Sequence, residues 1–336
     1  MTSSGVRRGA LGNWRFWLAH NSGVLTAAVL FLAMFTLYIS NHSAGLTPAV
    51  ATTAANKAVL LALVAMAQTL PVLTRGLDLS VGMVFVMANC IASVIVVGTV
   101  GEGMLGILAV LAIGALAGFI NGAIVVWGRL QPIITTLATG AVYYGISLFV
   151  RPGPGGDVQS DIADLLTGQV FGVVPAALVV LLVVVLVVWI PYRRSVLGRA
   201  AYAVGSNEQA AYMSGVPVQR AKLLAYTLAG LLASIAGLML TFNTYSGEAS
   251  APIAGSYTLN SIAAVVIGGT SLFGGWGSAI GSIFGAFVLR TIEDLLFVFD
   301  LPPLWQPLFQ GVVLLIAVSL GAYRILRVRN RLELFS

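Results

Sequence analysis

Long apolar stretches recur along this 336-residue chain, and each is close to the length of a membrane-crossing helix. A helix needs roughly 20 apolar residues to cross a bilayer, where all its backbone polar groups must be bonded internally. Only 8% of the residues are charged, whereas soluble proteins average about 25%. The sequence therefore predicts an all-α integral membrane protein that crosses the bilayer many times.

We count about ten candidate spans within a single transmembrane domain over residues 22–323. The candidate spans are residues 22–40, 57–74, 81–98, 104–127, 132–150, 173–191, 221–243, 258–272, 278–298 and 304–323. Residues 1–21 and 324–336 would then be terminal tails. An even number of spans places both tails on the same side of the membrane.

Basic residues indicate which side that is. Of the seventeen lysines and arginines, all but Lys57, Arg151 and Arg290 flank the same ends of the predicted spans, which leaves fourteen on one side. Short loops rich in arginine and lysine face the cytoplasm. The pattern predicts cytoplasmic termini and a cytoplasmic loop over 192–222. Topology explains the basic charge without a nucleic-acid partner.

The 192–222 loop contains the signals of a short helix. Ser206 is a suitable N-cap, and Gln209 three residues later would complete a capping box. Glu208 falls in the first turn, where the helix dipole favours an acid, and Gly215 suits a left-handed C-terminus. A two-turn helix is marginal alone in water. It should therefore dock into a partner subunit or lie on the surface of its own chain.

Polar residues inside the apolar stretches are few. Asp78 is expected to cap a helix start with Ser80 or to pair with Arg75, sheltered from lipid. Other polar groups within spans either bond between helices or line a pathway. Arg290, Glu293 and Asp294 are expected to pair internally near the outer end of the ninth span, with a proton relay as the alternative.

We expect the glycine repeats in 114–123 and 277–286 to mark close helix packing.

Several kinds of chemistry lack their residues. Neither lysine, Lys57 or Lys222, is followed by Ser or Thr, so the chain has no P-loop for a nucleotide. His20 and His42 fall on opposite sides of the predicted membrane, which leaves no histidine-based metal site. Cys90 is the single cysteine, so no disulfide can form within the chain. We expect no cofactor and no enzymatic activity in this subunit.

Four motifs together resemble the ribose/galactofuranose-type permeases of bacterial ABC importers. They are RGLDLSVG (75–82), NGAIVVWGRLQPIITTLATGAV (121–142), AVGSNEQAAYMSGV (203–216) and IAAVVIGGTSLFGGWGS (262–278). The similarity covers about residues 57–320. It implies a dimer, formed with a second permease copy of the same or another kind, in the bacterial inner membrane. It also implies a periplasmic binding protein that delivers a sugar, and two cytoplasmic ATP-binding cassette subunits.

The resemblance also implies roles for residues. The ATPase subunits of such importers hold a coupling helix, which here falls on Ser206, Asn207, Glu208, Gln209, Ala211, Ser214, Gly215 and Val216. The segment around Asp78 and Ser80 should approach the translocation pathway. The polar residues that we expect along this pathway are Asp78, Ser80, Asn89, Asn121, Thr135 and Tyr143.

Two other functions fit the residues. One is a stand-alone channel or ion-coupled carrier for a small polar solute, with its function on Arg290, Glu293 and Asp294. The other is a scaffold for a membrane complex, which would leave the intramembrane polar groups without a role. The sequence leaves open which sugar, polyol or nucleoside is carried, and what the outer loop over 151–168 does.

Overall fold

A computed structural model describes residues 21–305, 307–309, 311, 312, 315 and 319. Nine of the twenty residues in the predicted tenth span over 304–323 are described, whereas the two predicted tails lie outside the described residues except for residue 21. Within them the chain is overwhelmingly helical. The elements in chain order are α1 Ser22–Asn41, α2 Pro48–Leu73, α3 Val81–Ile95, α4 Val100–Trp127, α5 Pro132–Val150, α6 Ser160–Thr167, β1 Gln169–Val170, β2 Val174–Pro175, α7 Ala176–Arg194, α8 Val196–Ser206, α9 Glu208–Met213, α10 Val218–Thr244, α11 Ala251–Ile267 and α12 Ala279–Val298.

Six of the helices in the described ranges are long and apolar enough to cross a membrane: α1, α2, α4, α5, α7 and α10. Helices α3 and α11 are apolar but shorter, and α12 carries three charged residues toward its end. Helix α7 contains one π-helical turn at Val185–Trp189. The prediction of an all-α membrane protein is confirmed, while the number of ten spans and the side of the termini remain predictions.

Two helices begin well before the predicted spans. Helix α2 begins at Pro48, where the Thr47 side chain accepts a hydrogen bond from the Val50 amide. Helix α11 begins at Ala251 behind a Ser250 cap and ends at Ile267, so the predicted span over 258–272 is shifted. Hydropathy alone misses these starts because polar caps and prolines precede the apolar residues.

Helix α2 lies at the centre of the bundle. Every residue from Val59 to Leu73 is buried, and a helix that is apolar and buried all round must be enclosed by other helices. Helices α7, α10, α11 and α12 pack around it. The buried half of α2 ends at the segment that carries Asp78.

Glycines bring two pairs of helices into backbone contact. A Cβ atom on Gly230 of α10 would lie 2.1 Å from the carbonyl oxygen of Gly114 in α4, and Gly118 is equally close to α10. At the second repeat, a Cβ atom on Gly285 of α12 would lie 2.1 Å from the Ala264 carbonyl oxygen in α11. The structure confirms that these repeats mark close packing.

Hydrogen bonds gather the connecting segments at two faces of the bundle. At the first, which we call the basic face, the turn after α2 meets the α11–α12 turn, with Gly275 N donating to Leu73 O at 3.1 Å. At the opposite face, Gly155 and Gly247 form two reciprocal hydrogen bonds, and the Gln159 amide donates to Val96 O at 2.8 Å. Segments 74–80, 195–217 and 268–278 lie at the basic face, and segments 96–99, 151–175 and 245–250 at the opposite face.

Candidate functional site

The short helix α9 begins one residue later than predicted. The Asn207 side chain accepts a hydrogen bond from the Ala210 amide at 3.0 Å, so the N-cap is Asn207. Ser206 instead ends the preceding helix, and its hydroxyl donates to Tyr202 O at 2.9 Å. The predicted Ser206–Gln209 capping box is therefore wrong. Counted from Asn207, the third position is Ala210, which has no acceptor for a capping box.

The other end of α9 has the predicted left-handed glycine. Gly215 has a φ of 75°. Its amide donates to Tyr212 O, and the Val216 amide donates to Ala211 O, each at 3.0 Å. These two bonds form a Schellman motif, which satisfies the last carbonyl groups of a helix.

A second helix, α8, precedes α9 and was not predicted. Ser195 caps it by accepting a hydrogen bond from the Gly198 amide at 2.9 Å. Its buried residues include Gly198, Ala201 and Gly205. This helical spacing of small residues was the sequence signal for it.

Helix α8 is pressed against both turns of the basic face. A Cβ atom on Gly205 would lie 2.0 Å from the Leu73 carbonyl oxygen and 2.3 Å from the Gly275 amide nitrogen. Tyr202 donates a hydrogen bond to Gly277 O at 2.9 Å. Burial raises the pKa of Tyr202, so its hydroxyl keeps the proton that this bond requires. The segment from α8 to α9 is thus fixed to the end of α2 and to the α11–α12 turn.

Helix α9 presents an exposed surface on the basic face. Tyr212 is 72% exposed and Met213 is 85% exposed. Glu208 pairs with Lys222 of α10 at 2.6 Å, which ties the start of α9 to the bundle. Of the predicted coupling residues, Ala211 is buried and Val216 packs against the same small apolar cluster. The other six are exposed: Ser206, Asn207, Glu208, Gln209, Ser214 and Gly215.

Four of the six predicted pathway residues bond to one another. Asp78 Oδ1 accepts hydrogen bonds from Ser80 N at 2.8 Å and from Ser80 Oγ at 2.6 Å. Asn121 Nδ2 donates to Ser80 Oγ at 2.8 Å, and Tyr143 OH shares its proton between Asn121 Oδ1 at 3.1 Å and Ala117 O at 2.9 Å. We call these four residues the Asp78 network. It joins the turn before α3 to α4 and α5, and all its members are buried.

Asp78 uses the predicted partner Ser80, and in the described chain it forms no ion pair with Arg75. It is only 2% exposed, so protein shelters it from lipid as expected. The network also receives support from Thr136, which was not among the predicted pathway residues. Thr136 Oγ1 accepts a hydrogen bond from the Leu79 amide at 2.9 Å.

The other two predicted pathway residues lie apart from the network. Asn89 is farther along α3, where its Nδ2 donates to Thr241 Oγ1 at 2.9 Å and its Oδ1 accepts from the Glu248 amide at 3.0 Å. It therefore ties α3 to α10 and to the opposite face. Thr135 is buried in α5, and its hydroxyl has no hydrogen-bond partner among the described residues.

The charged residues of α12 form pairs. Arg290 Nη1 bonds to Glu293 Oε2, as predicted. Asp294 does not join them but lies 3.8 Å from Lys57 Nζ of α2. In the ranges that the structure describes, no group of three His, Cys, Asp or Glu side chains is placed to hold a metal ion.

Comparison with known proteins gives a family and several relatives. The model of the family described as "Branched-chain amino acid transport system / permease component" matches residues 50–318. The ribose import permease protein RbsC of Bacillus subtilis is 34% identical over 315 residues, which cover 90% of this chain and 94% of that protein.

Two further relatives are similar over most of their length. RbsC of Escherichia coli K12 is 36% identical over 263 residues, or 76% of this chain and 80% of that protein. The autoinducer 2 import system permease protein LsrC of Enterobacter sp. 638 is 36% identical over 293 residues, or 87% of this chain and 84% of that protein. No solved structure matches the chain.

Proposed function

Because the chain belongs to the family of branched-chain amino acid transport system permease components, we propose that it is the permease subunit of a bacterial ABC importer for a sugar or sugar-like solute. Relatives named as ribose and autoinducer 2 import permeases support a polar organic solute. The observation that carries the proposal is the exposed α9, fixed through α8 to the end of α2 and to the α11–α12 turn. This arrangement suits a helix that receives force from a partner.

The proposed complex contains three kinds of subunit contact. Two ATP-binding cassette subunits bind α9 in the cytoplasm, a periplasmic binding protein delivers the solute to the opposite face, and a second permease copy completes the pathway. The chain itself spans the lipid of the inner membrane ten times, as one domain over 22–323, with both tails in the cytoplasm. The concentration of arginine and lysine at the basic face supports this orientation.

Force on α9 has a short route into the bundle. The Glu208–Lys222 pair holds the N-terminal end of α9 to α10, and α8 directly precedes that end in the chain. Gly205 of α8 is in backbone contact with Leu73 and with Gly275. In the proposed mechanism, ATP binding draws the α9 helices of the two permease copies together, and α8 passes this displacement to α2 and to the α11–α12 turn. The free energy for this displacement comes from ATP binding to the partner ATPases.

The same route leads to the Asp78 network. The α11–α12 turn meets the segment after α2, where a Cβ atom on Gly274 would lie 2.9 Å from the Arg75 amide nitrogen. Asp78 follows Arg75 by three residues. The network would hold the 78–80 segment beside the pathway, while Thr135 lines it near the start of α5 and Asn89 lines it farther along α3. A shift of the turn would then change access to the solute.

Exposed residues of α9 allow a direct test of the docking role. Changing Tyr212→Ala and Met213→Ala together removes apolar surface without removing a buried contact, so the protein should reach the membrane in normal amounts. We expect the ATPase subunits to co-purify poorly and uptake to fall about tenfold or more, because truncating an aromatic hot spot at an interface costs about 2 kcal/mol or more. Phe171→Ala, at an aromatic residue that is 96% exposed on the opposite face, is the control for ATPase binding.

Normal ATPase binding and normal uptake by the double variant would refute the docking role of α9. The alternative function, a stand-alone ion-coupled carrier, would use the acids of α12 to bind its coupling ion, and an acid without a cationic partner would suit that role best. Glu293 and Asp294 instead each have a cationic partner in the described chain. Gradient-driven uptake by the purified chain alone in liposomes would favour that alternative over the importer.

A further inference from the structure

A cavity of about 240 Å³ lies between α2, α11 and α12. Its polar wall combines a hydroxyl, a phenol, an amide and an ion pair, from Ser256, Tyr257, Asn260, Arg290 and Glu293. Pro252 at the start of α11 also lines it, so the cavity runs eight residues along this helix, or about 12 Å, from the opposite face toward the interior. None of these residues belongs to the Asp78 network or to α9.

The charges around the cavity cancel. Arg290 pairs with Glu293 in the wall, and Asp294 pairs with Lys57 one helical turn farther along α12. Charged residues inside membrane-spanning helices commonly mark the path of a solute or ion. Here two cations balance two anions, so the site has polar groups without net charge. Such a site favours a neutral polar solute over an ion.

The wall also offers unused hydrogen-bonding capacity. The Arg290 Nε donor is buried and has no partner among the described residues. The Asn260 amide donates weakly to Ser256 Oγ at 3.3 Å, and an amide can make about four hydrogen bonds. Buried polar groups are normally satisfied by protein, water or ligand. Solute hydroxyl groups, which both donate and accept, match these donors and acceptors.

Tyr257 gives the cavity a fixed aromatic side. Its ring stacks on Phe85 of α3 with centroids 4.5 Å apart, which holds its orientation. The next residue, Thr258, accepts a hydrogen bond from the Gly82 amide at 3.1 Å. Gly82 follows Ser80 by two residues, so α11 joins the cavity to the segment that carries the Asp78 network.

We propose that this cavity is a contact site for a small, neutral, polyhydroxylated solute entering from the opposite face; the proposal rests on the permease function proposed above. Pockets for drug-sized ligands measure roughly 300–1,000 Å³, so a smaller cavity suits a molecule of about monosaccharide size. In this proposal, Ser256 and Asn260 form hydrogen bonds with hydroxyl groups of the solute. The Arg290–Glu293 pair orients the solute.

The single native cysteine makes a clean accessibility test possible. Cys90 is fully buried, so a Ser256→Cys variant carries one candidate reactive thiol. In spheroplasts that express the importer and are supplied with its purified binding protein, a membrane-impermeant maleimide should label this thiol. Saturating ribose, glucose or myo-inositol, whichever the wild-type complex imports, should slow labelling about fivefold, while lactate should not. Ser261→Cys, buried on the same helix, should stay unlabelled, and Ser160→Cys in exposed α6 should label without protection.

Uptake measurements with the same cells separate the two proposals. Loss of one hydrogen bond to the solute in Asn260→Ala should lower uptake about fivefold at equal amounts of assembled complex. The double variant Arg290→Glu with Glu293→Arg keeps the ion pair but exchanges its two ends. Its uptake should stay below that of the wild-type complex. The site is refuted if the thiol at 256 reacts no faster than that at 261, if an imported sugar leaves its labelling unchanged, or if the exchanged pair transports normally. Absence of uptake by the wild-type complex would instead refute the proposed function.

Discussion

Asn121 bonds on both sides of its amide, to Ser80 through Nδ2 and to Tyr143 through Oδ1. It is fully buried in α4, so neither partner can turn to water when the amide is lost. The residue therefore connects the turn before α3 to α5. A single polar side chain of this kind holds three membrane segments in one arrangement.

Replacing Asn121 with leucine should destabilise the folded chain. The substitution keeps the branched shape of the side chain but removes one hydrogen bond from Ser80 Oγ and one from Tyr143 OH, which keep Asp78 Oδ1 and the Ala117 carbonyl oxygen as acceptors. Each lost bond should cost about 0.5–1.5 kcal/mol. A lower melting temperature of the purified protein in detergent would show this. Asn41→Leu, at the exposed end of α1, is the control and should melt like wild type. Equal melting of both variants would mean that the network contributes no stability.

The members of the Asp78 network could be predicted singly from the sequence, but their bonds could not. A polar residue stands out in an apolar stretch, which is how Asp78, Asn121 and Tyr143 were identified. The pairing of Asn121 with Ser80 spans 41 positions and that of Tyr143 with Asn121 spans 22. Contacts over such separations depend on how helices pack, and helical spacing within one segment carries no information about them. For the same reason the pairing of Asp294 with Lys57 was missed.

At the scale of the element, helices α8 and α9 show what local signals can and cannot reveal. Gly215 was predicted correctly because only a left-handed residue without a Cβ suits that position. The N-terminal cap was misplaced by one residue because Ser206 and Asn207 are both good caps. Only the end of α8 at Ser206 decides between them.

The two candidate caps can be told apart by substitution. Asn207→Ala should cost α9 about 1 kcal/mol, the usual value of a side-chain cap, whereas Ser206→Ala removes only a bond to the preceding turn. Hydrogen exchange at the amides of 210–213 should therefore become about fivefold faster in Asn207→Ala and stay nearly unchanged in Ser206→Ala. The reverse result would restore Ser206 as the cap.

Gly230 sets the distance between α4 and α10. Even a methyl group there would lie 2.1 Å from the Gly114 carbonyl oxygen, so Gly230→Ala must push the helices apart, with overpacking costs of roughly 1–3 kcal/mol or more. We expect less protein in the membrane and a lower melting temperature. Gly145→Ala in α5, where nothing lies within 4 Å, should match wild type. If Gly230→Ala melts like Gly145→Ala, the two backbones are not in contact.

For the whole molecule, the arrangement of loops at two faces predicts sidedness. Ser160 and Ser214 are both exposed and lie at the opposite and basic faces. A cysteine at 160 should react with an impermeant maleimide in intact spheroplasts. A cysteine at 214 should react only after permeabilisation, because the basic face is proposed to be cytoplasmic. Labelling of the cysteine at 214 from outside would invert the topology and remove α9 from the reach of the ATPases.

The glycine contacts restrict which parts of the bundle can move. Where backbone lies against backbone, as between α4 and α10 or between α11 and α12, two helices cannot roll over each other as they can across flexible side chains. Helix α3 is held in the same way to both pairs, since a Cβ atom on Gly237 of α10 would lie 2.4 Å from the Phe85 carbonyl oxygen and one on Gly82 would lie 2.0 Å from the Ala254 carbonyl oxygen of α11. These five helices must therefore travel as one solid block, and the moving joint of the alternating cycle falls outside it. A rigid crosslink within the block would leave transport running, whereas one between the blocks of the two permease copies would arrest it.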